Sequence, residues 1–238
     1  MAPKPIVFIA AATRSGSTHI KNCFALSGWR PVSMHVAFDG HNNEEHMIDP
    51  RLATVLFPQG DFVIQQHVRA IGRNAPILAE FDIRPIVTYR NLSDSVVSLV
   101  DSTEKDFALG RGKGYTHVPI HLPDWTRMSL NDKLWWTIYN MVPWWCSFLL
   151  SWKESGLDCL FVDCDTFFAD QVMGLRKMFD HVGVRPPDTL SQISSLRRGK
   201  LNVGVSGRGE RLSGGMHKVI RHQASLYGLE EELCDRSA

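Results

Sequence analysis

The sequence has no excess of charge of either sign. Its 238 residues include 26 Lys and Arg against 25 Asp and Glu, which gives a formal net charge of +1. Capture of nucleic acid or of an anionic membrane surface needs a broad surface of one sign. We therefore expect no nucleic-acid partner, whereas a local basic pocket for one small anion remains compatible with this composition.

Cysteine is also scarce, and its spacing predicts neither a disulfide framework nor a metal site. The count is odd, and the sequence contains no C-x-x-C pair or Cys/His ligand spacing. These features favour a reducing, cytoplasmic compartment. The histidines and glutamates of residues 41–46 also lack a known ligand spacing, so we expect no metal. The cysteines are Cys23, Cys146, Cys159, Cys164 and Cys234.

One uncharged stretch invites comparison with a membrane span. Residues 134–150 form an uncharged stretch that is shorter than the roughly 20 apolar residues of a spanning helix, and it contains Asn140 and Pro143. We expect a buried core helix there, kinked at Pro143.

The apolar run at residues 5–12 resembles the core of a signal peptide, but its length is that of a buried strand. We interpret it as the first strand of the fold.

The remaining pattern predicts a single α/β domain that covers residues 1–238. Continuous apolar runs, which predict buried strands, alternate with helical patterns. This alternation is typical of a central parallel sheet with helices on both faces. The predicted strands are residues 5–12, 61–66, 84–89 and 157–162. The predicted helices are residues 17–26, part of 52–57, 94–100, 129–153, 171–183 and 215–233. Residues 102–126 and 197–215 are expected to be surface loops.

The turn after the first strand has the features of a phosphate-binding loop. Residues 11–18 read AATRSGST and join the strand to a helix, whose exposed N–H groups and dipole favour an anion. Gly16 allows close backbone approach, Ser17 and Thr18 add hydroxyl donors, and Arg14 adds a fixed positive charge. The loop is therefore similar to a P-loop, GxxxxGK[ST], but Ser17 replaces the lysine that serves the β- and γ-phosphates, which argues against ATP or GTP.

A second basic corner follows the strand at 84–89. Residues 90–98 read RNLSDSVVS, so Arg90 lies at the carboxyl end of a strand. Eight residues along a helix make just over two turns, which can return Ser98 toward the side that Arg90 faces. Ligands of open α/β sheets bind outside the carboxyl ends of the strands. Two such corners suit a ligand with two phosphate-like groups.

Together these motifs resemble the sulfotransferases that use 3′-phosphoadenosine 5′-phosphosulfate (PAPS). Residues 13–18, TRSGST, resemble their 5′-phosphosulfate loop, and residues 90–98 resemble their 3′-phosphate motif. Residues 202–208, NVGVSGR, resemble their C-terminal cofactor-closing loop. The resemblance extends from residue 5 to about 215. It implies in-line transfer of a sulfuryl group to a hydroxyl or amine of a small-molecule, lipid or glycan acceptor, without a metal, and with adenosine 3′,5′-bisphosphate (PAP) as product.

The resemblance also implies roles for individual residues. Arg14 would contact the sulfonate and the bridging oxygen, the rest of its loop would hold the 5′-phosphate, and Arg90 with Ser98 would hold the 3′-phosphate. His67 stands where many members of the family carry their catalytic base. In chain order, the implied cofactor-binding residues are Arg14, Ser15, Gly16, Ser17, Thr18, His19, Arg90, Ser98, Asn202, Gly204 and Arg208.

Departures from the family pattern indicate a divergent, bacterial-type member. His19 replaces a tryptophan that often stacks on adenine, and Gln65 replaces the lysine two residues before the base. Residues 202–204 read Asn-Val-Gly where the family has Arg-Lys-Gly. Lys200 and Arg208 are candidates to supply the missing positive charge.

Several alternatives stay open at this stage. His67 suits general-base chemistry because the reference pKa of histidine is near neutral, but a carboxylate is the other choice, with Asp39, Glu44 and Glu45 as candidates. The aromatic residues of 135–152 fit core packing or an apolar acceptor pocket. A small-molecule kinase of the P-loop type and a non-catalytic adenosine-bisphosphate-binding protein are the competing functions. The acceptor and the oligomeric state cannot be read from the sequence.

Overall fold

The protein is built on one parallel β-sheet. The computed structural model describes residues 4–32, 48–110, 125–195 and 206–235. Within them, five strands pair in the order β2-β3-β1-β4-β5, and every pair is parallel. The strands are β1 (Val7–Ala11), β2 (Arg30–Val32), β3 (Phe62–Gln66), β4 (Ile86–Tyr89) and β5 (Leu160–Asp163).

Ten helices of the described segments connect these strands and cover both faces of the sheet. Three short 3-10 turns accompany them, at Phe57–Gln59, Trp125–Arg127 and Arg208–Arg211. The helices are α1 (Ser17–Leu26), α2 (Pro50–Leu56), α3 (Asn74–Glu80), α4 (Leu92–Ala108), α5 (Leu130–Lys153), α6 (Cys164–Ala169), α7 (Gln171–His181), α8 (Leu190–Ser195), α9 (Gly214–Ser225) and α10 (Glu230–Cys234).

Side-chain alternation along β1 divides the core into two layers. Phe8 and Ala10 face a layer built with α4, α5 and α9, whereas Val7 and Ile9 face a layer built with α1, α7 and α8. All five residues of the strand are buried, as expected for a strand covered on both faces. The predicted α/β fold, a central parallel sheet between two helical layers, is confirmed.

The α4 helix is longer than predicted and includes residues 102–108, which were expected to lie in a surface loop. This last part of the helix has its own buried side. Thr103 and Asp106 are buried, and Thr103 Oγ1 donates to the Leu99 carbonyl. A helix face that packs on the core outweighs the polar character of the segment. Residues 111–124 of the expected loop lie outside the described residues.

Other boundaries differ for local reasons. The C-terminal helix predicted at 215–233 is two helices, because Gly228 takes a φ of +67° between α9 and α10 and ends the first. The strand expected at 157–162 is Leu160–Asp163. The short edge strand β2, with Pro31 at its centre, and the helices α3, α6 and α8 were not predicted.

Most of the aromatic residues of α5 pack in the core. The helix runs through Pro143 without a break, and its buried side includes Trp144, Trp145, Phe148 and Trp152. The Trp152 indole is 1% exposed and donates to the Val68 carbonyl at 2.9 Å. Tyr139, by contrast, is exposed. Within the described part of the chain, no helix combines the length and apolar character needed to cross a membrane.

Trp152 provides a test of this packing. The change Trp152→Ala removes a fully buried ring and leaves the Val68 carbonyl without its indole donor. We expect the free energy of unfolding to fall by about 3–5 kcal/mol. Urea denaturation measures this loss. Leu130→Ala on the same helix, at a side chain that is 50% exposed, should change it by less than about 0.5 kcal/mol; equal effects would contradict the assigned core.

Candidate functional site

The loop between β1 and α1 has the backbone of an anion-binding turn. Arg14 and Gly16 both adopt positive φ, at 70° and 74°, on either side of Ser15. Such alternation lets successive N–H groups converge on one point. A Cβ on Gly16 would lie 2.7 Å from the ring of Phe168, so glycine is required here. The N-terminus of α1 has no side-chain cap, which leaves its first N–H groups to another partner.

Hydrogen bonds from two neighbouring elements hold this loop in place. From β4, the Thr88 carbonyl accepts from Ala12 N at 2.8 Å. The Ser15 hydroxyl donates to the Ala12 carbonyl at 2.5 Å, so at its 2.7 Å contact with Thr88 it accepts the Thr88 hydroxyl proton. From α5, Trp145 Nε1 donates to Thr13 Oγ1 at 2.8 Å. The Ser15 hydroxyl is therefore used to hold the loop in place. The phosphate contact predicted for Ser15 would have to come from its backbone N–H group.

The Arg14 side chain joins the two basic corners that the sequence singled out. Its Nε donates to Ser98 Oγ at 3.2 Å, and its Nη1 donates to Ser102 Oγ at 3.2 Å. The two serines lie one turn apart on α4, a spacing that suits the rigid fork of a guanidinium. Arg14, from the corner after β1, thus meets Ser98, from the corner after β4.

His67 is tied to the end of β1. Its Nδ1 lies 2.6 Å from the Ala11 carbonyl. Because a carbonyl only accepts, Nδ1 carries the proton, and in the neutral ring the lone pair resides on Nε2. Ala11 immediately precedes the loop that carries Arg14. The predicted base is therefore hydrogen-bonded to the residue from which the predicted phosphosulfate loop begins.

Arg90 lies between two carboxylates. Its side chain is 4% exposed, and its Nη2 is 3.5 Å from Asp94 Oδ2 and 3.3 Å from Asp165 Oδ1. Asp94, on α4, is 1% exposed and accepts from Gly207 N at 3.0 Å and from Gly209 N at 2.6 Å. Asp165, at the start of α6, is 25% exposed. The sequence identified the cation at this corner but neither of its acidic partners.

The described half of the expected closing loop packs on α4. Besides the two bonds to Asp94, Arg208 Nη1 lies 3.5 Å from Asp101 Oδ2, and Arg211 Nη1 lies 2.9 Å from the same atom. A Cβ on Gly209 would be 2.5 Å from Ser93 Cβ, so this glycine permits the close approach. Ser206 Oγ donates to Asp165 Oδ1 at 2.7 Å. The segment Ser206–Arg211 is thereby connected to the corner that holds Arg90.

Some predicted residues lie outside the described residues: Lys200, Asn202 and Gly204 of the closing loop, the carboxylates Asp39, Glu44 and Glu45, and the cluster at 41–46. In the segments that the structure does describe, no group of three or more His, Cys, Asp or Glu side chains is arranged to hold a metal ion.

Two further side chains border the loop between β1 and α1. His19 Nε2 lies 2.8 Å from Gln171 Oε1, and its ring centroid is 5.7 Å from that of Phe168. A contact of His19 with a nucleotide base stays a prediction.

Cys164 is buried next to Gly16, and burial raises the pKa of its thiol to about 12. The thiol is therefore protonated at neutral pH and is a poor nucleophile.

Two residues of the site, Asp165 and Ser102, are not among the candidates that the sequence predicts. Asp165 follows β5, the strand beside β4, and the signal for it is a position at the carboxyl end of an adjacent parallel strand. Ser102 falls in a predicted surface loop. Its spacing of four residues from Ser98 places both hydroxyls on one face of α4.

Solved structures of similar architecture include two sulfotransferases and a retinol dehydratase. Mouse sulfotransferase SULT7A1 in complex with PAP has a TM-score of 0.62 and 14% identity, over 98% of this chain and 91% of its own. Retinol dehydratase in complex with androsterone and PAP has a TM-score of 0.62 and 12% identity, over 100% and 84%. A sulfotransferase from Alicyclobacillus acidocaldarius has a TM-score of 0.54 and 12% identity, over 100% and 98%.

These likenesses define the fold. The chain has the sulfotransferase fold, as its motifs predicted. A scan of protein families and a search of curated proteins found no match to this sequence.

The contact between Arg14 and Ser102 can be measured without a ligand. We expect Ser102→Ala to lower the free energy of unfolding by about 0.5–1.5 kcal/mol, because the guanidinium loses one acceptor. In an Arg14→Met background the same change should cost almost nothing. Denaturation of the four proteins of this double-mutant cycle gives the coupling free energy, and a coupling near zero would contradict the contact.

Proposed function

We propose that the protein is a PAPS-dependent sulfotransferase. The observation that carries the proposal is the hydrogen bond from Arg14 to Ser98, which brings the phosphosulfate loop and the 3′-phosphate motif together on adjacent strands. A nucleotide with an anionic group at each end of its ribose fits this arrangement. The bound PAP of the mouse sulfotransferase and of retinol dehydratase supports the same nucleotide class here.

The donor half of the site has two anion-binding features. At the first corner, the uncapped N-terminus of α1, Gly16 and Arg14 offer backbone N–H groups and a guanidinium to a 5′-phosphosulfate. At the second corner, Arg90 and Ser98 are proposed to take the 3′-phosphate. Arg208, on the segment packed against α4, is proposed to close over the nucleotide with Asn202 and Gly204.

His67 is the proposed general base. The Ala11 carbonyl fixes the neutral tautomer in which Nε2 accepts a proton. In the proposed reaction, Nε2 takes the proton of the acceptor hydroxyl or amine as the acceptor atom forms a bond to sulfur. The bond from sulfur to the bridging oxygen breaks in line, and its electron pair passes to the 5′-phosphate of PAP. Arg14 and the loop N–H groups stabilise that developing charge.

The acceptor is proposed to be a small molecule, a lipid or a glycan with a hydroxyl or amine. Androsterone and retinol are the small molecules in two retinol dehydratase complexes of this fold.

The five cysteines of this chain are free thiols. This state supports a reducing compartment, so we propose a cytoplasmic location.

Nucleotide binding tests the donor site directly. We expect PAP to raise the thermal unfolding temperature and ATP with Mg²⁺ to leave it unchanged, because a ligand that binds only the folded state stabilises it. Arg14→Met should remove most of the shift caused by PAP. Stabilisation by ATP with Mg²⁺ alone would instead identify the P-loop kinase. If PAP stabilises the protein but labelled sulfate is never transferred from PAPS, the protein is the non-catalytic binder.

The proposed base gives a second test. We expect His67→Ala to lower the turnover number by about 100-fold or more while the dissociation constant of PAP changes little, because the base acts on the acceptor and not on the nucleotide. Transfer of labelled sulfate measures the first quantity and calorimetry the second. The exposed His222→Ala is the matched control, with turnover expected to be unchanged. Near-normal turnover of His67→Ala would reject the assignment.

A further inference from the structure

At the corner after β4, the contacts that the structure describes place the Arg90 guanidinium between two carboxylates, those of Asp94 and Asp165. A 3′-phosphate dianion that approached Arg90 in this arrangement would meet repulsion from both. The binding of the nucleotide therefore depends on how firmly each carboxylate is held.

The two carboxylates are held very differently. Asp94 is 1% exposed and is fixed by the N–H groups of Gly207 and Gly209, so its charge is satisfied within the fold. Asp165 is 25% exposed, and its Oδ1 contacts only Arg90 and the Ser206 hydroxyl among the described residues. Of the two, Asp165 is the group that an incoming anion can displace.

We propose that Asp165 occupies the 3′-phosphate position on Arg90 in the nucleotide-free protein and competes with that phosphate. The proposal rests on the proposed function, since it takes the ligand to be an adenosine 3′,5′-bisphosphate nucleotide. When the site is empty, the carboxylate gives the buried guanidinium a second acidic partner beside Asp94, which lowers the cost of burying its charge. It also returns to Arg90 as the product leaves, and so favours release of PAP.

The same carboxylate links the nucleotide to the closing segment. Ser206 donates to the Asp165 oxygen that lies nearest Arg90, and Ser206 begins the segment that packs on α4. When the 3′-phosphate displaces Asp165, the Ser206 hydroxyl becomes available to the phosphate or to solvent. Occupancy of the 3′-phosphate site is thereby transmitted to residues 206–211.

The test compares two nucleotides that differ only in the 3′-phosphate. Asp165→Asn keeps the size and the hydrogen-bonding capacity of the side chain but removes its charge. We expect the dissociation constant of PAP, measured by calorimetry, to fall by about tenfold, and that of adenosine 5′-monophosphate to change by less than about twofold. The dissociation rate of PAP, measured by stopped flow, should fall accordingly.

Asp163→Asn is the matched control. It makes the same change of charge two residues away, but Asp163 caps α6 through Thr166 N, a role that asparagine also fills. We expect it to leave the affinity for PAP within about threefold of wild type. Asp165→Ser is the second variant should Asp165→Asn fail to fold.

Each outcome bears on the inference. Weaker binding of PAP by Asp165→Asn would mean that the carboxylate positions Arg90, and equal gains for both nucleotides would mean a general charge effect; either result overturns the inference and leaves the proposed function standing. If neither the wild type nor the variants bind PAP, the proposed function fails and the inference fails with it. The inference is supported if Asp165→Asn binds PAP more tightly and binds adenosine 5′-monophosphate as the wild type does.

Discussion

The site depends on the attachment of a short loop, residues 12–16, to the elements around it. Strand β4 contributes Thr88, helix α5 contributes Trp145, and helix α4 contributes Ser98 and Ser102. The positive φ of Arg14 carries a conformational cost that a free peptide would avoid. The surrounding hydrogen bonds offset that cost and keep the N–H groups in place before any ligand arrives. A preorganised turn of this kind binds an anion without a further loss of backbone entropy.

The buried cation at the second corner, Arg90, contributes little net stability for the charge that is buried there. Removing a guanidinium and two carboxylates from water costs several kcal/mol per ion, and their mutual attraction returns that cost only when the geometry is good. The contacts of Arg90 with Asp94 and Asp165, at 3.5 and 3.3 Å, are long for charge-assisted bonds. Apolar side chains in place of the whole ion group would stabilise this corner as well, whereas loss of Arg90 alone would leave two carboxylates without their cation. The proposed 3′-phosphate gives this arrangement a functional reason.

Sequence patterns predicted the elements that carry strong local signals. The apolar run of β1 and the helix from Ser17 to Leu26 agree with the structure. The misses have tertiary causes. Edge strand β2 has three residues and contains Pro31, so its pairing with β3 comes from the fold and not from local propensity. Residues 102–108 look polar, but their buried side becomes evident only when α4 packs against α5.

The residues of the site likewise divide into those with a local sequence signal and those that only the tertiary structure brings into place. Arg14, Arg90 and His67 were identifiable because each follows a recognisable strand. Asp94 lies four residues after Arg90 and is a local partner. Ser102 and Asp165 were not identifiable, because strand order places β1, β4 and β5 side by side. Only the fold brings Ser102 to the Arg14 guanidinium and Asp165 to the Arg90 guanidinium.

One consequence of the loop's attachment concerns the alignment of the two reactants. The Ala11 carbonyl orients the His67 ring, and Arg14 follows Ala11 in the same turn of backbone. In the proposed reaction, the base contacts the acceptor and the arginine contacts the donor, so the line from acceptor through sulfur to leaving oxygen is set by a few peptide units. In-line transfer is sensitive to such alignment, because small displacements of reacting groups cost large factors in rate. In the proposed reaction, the backbone link between base and donor loop provides this alignment.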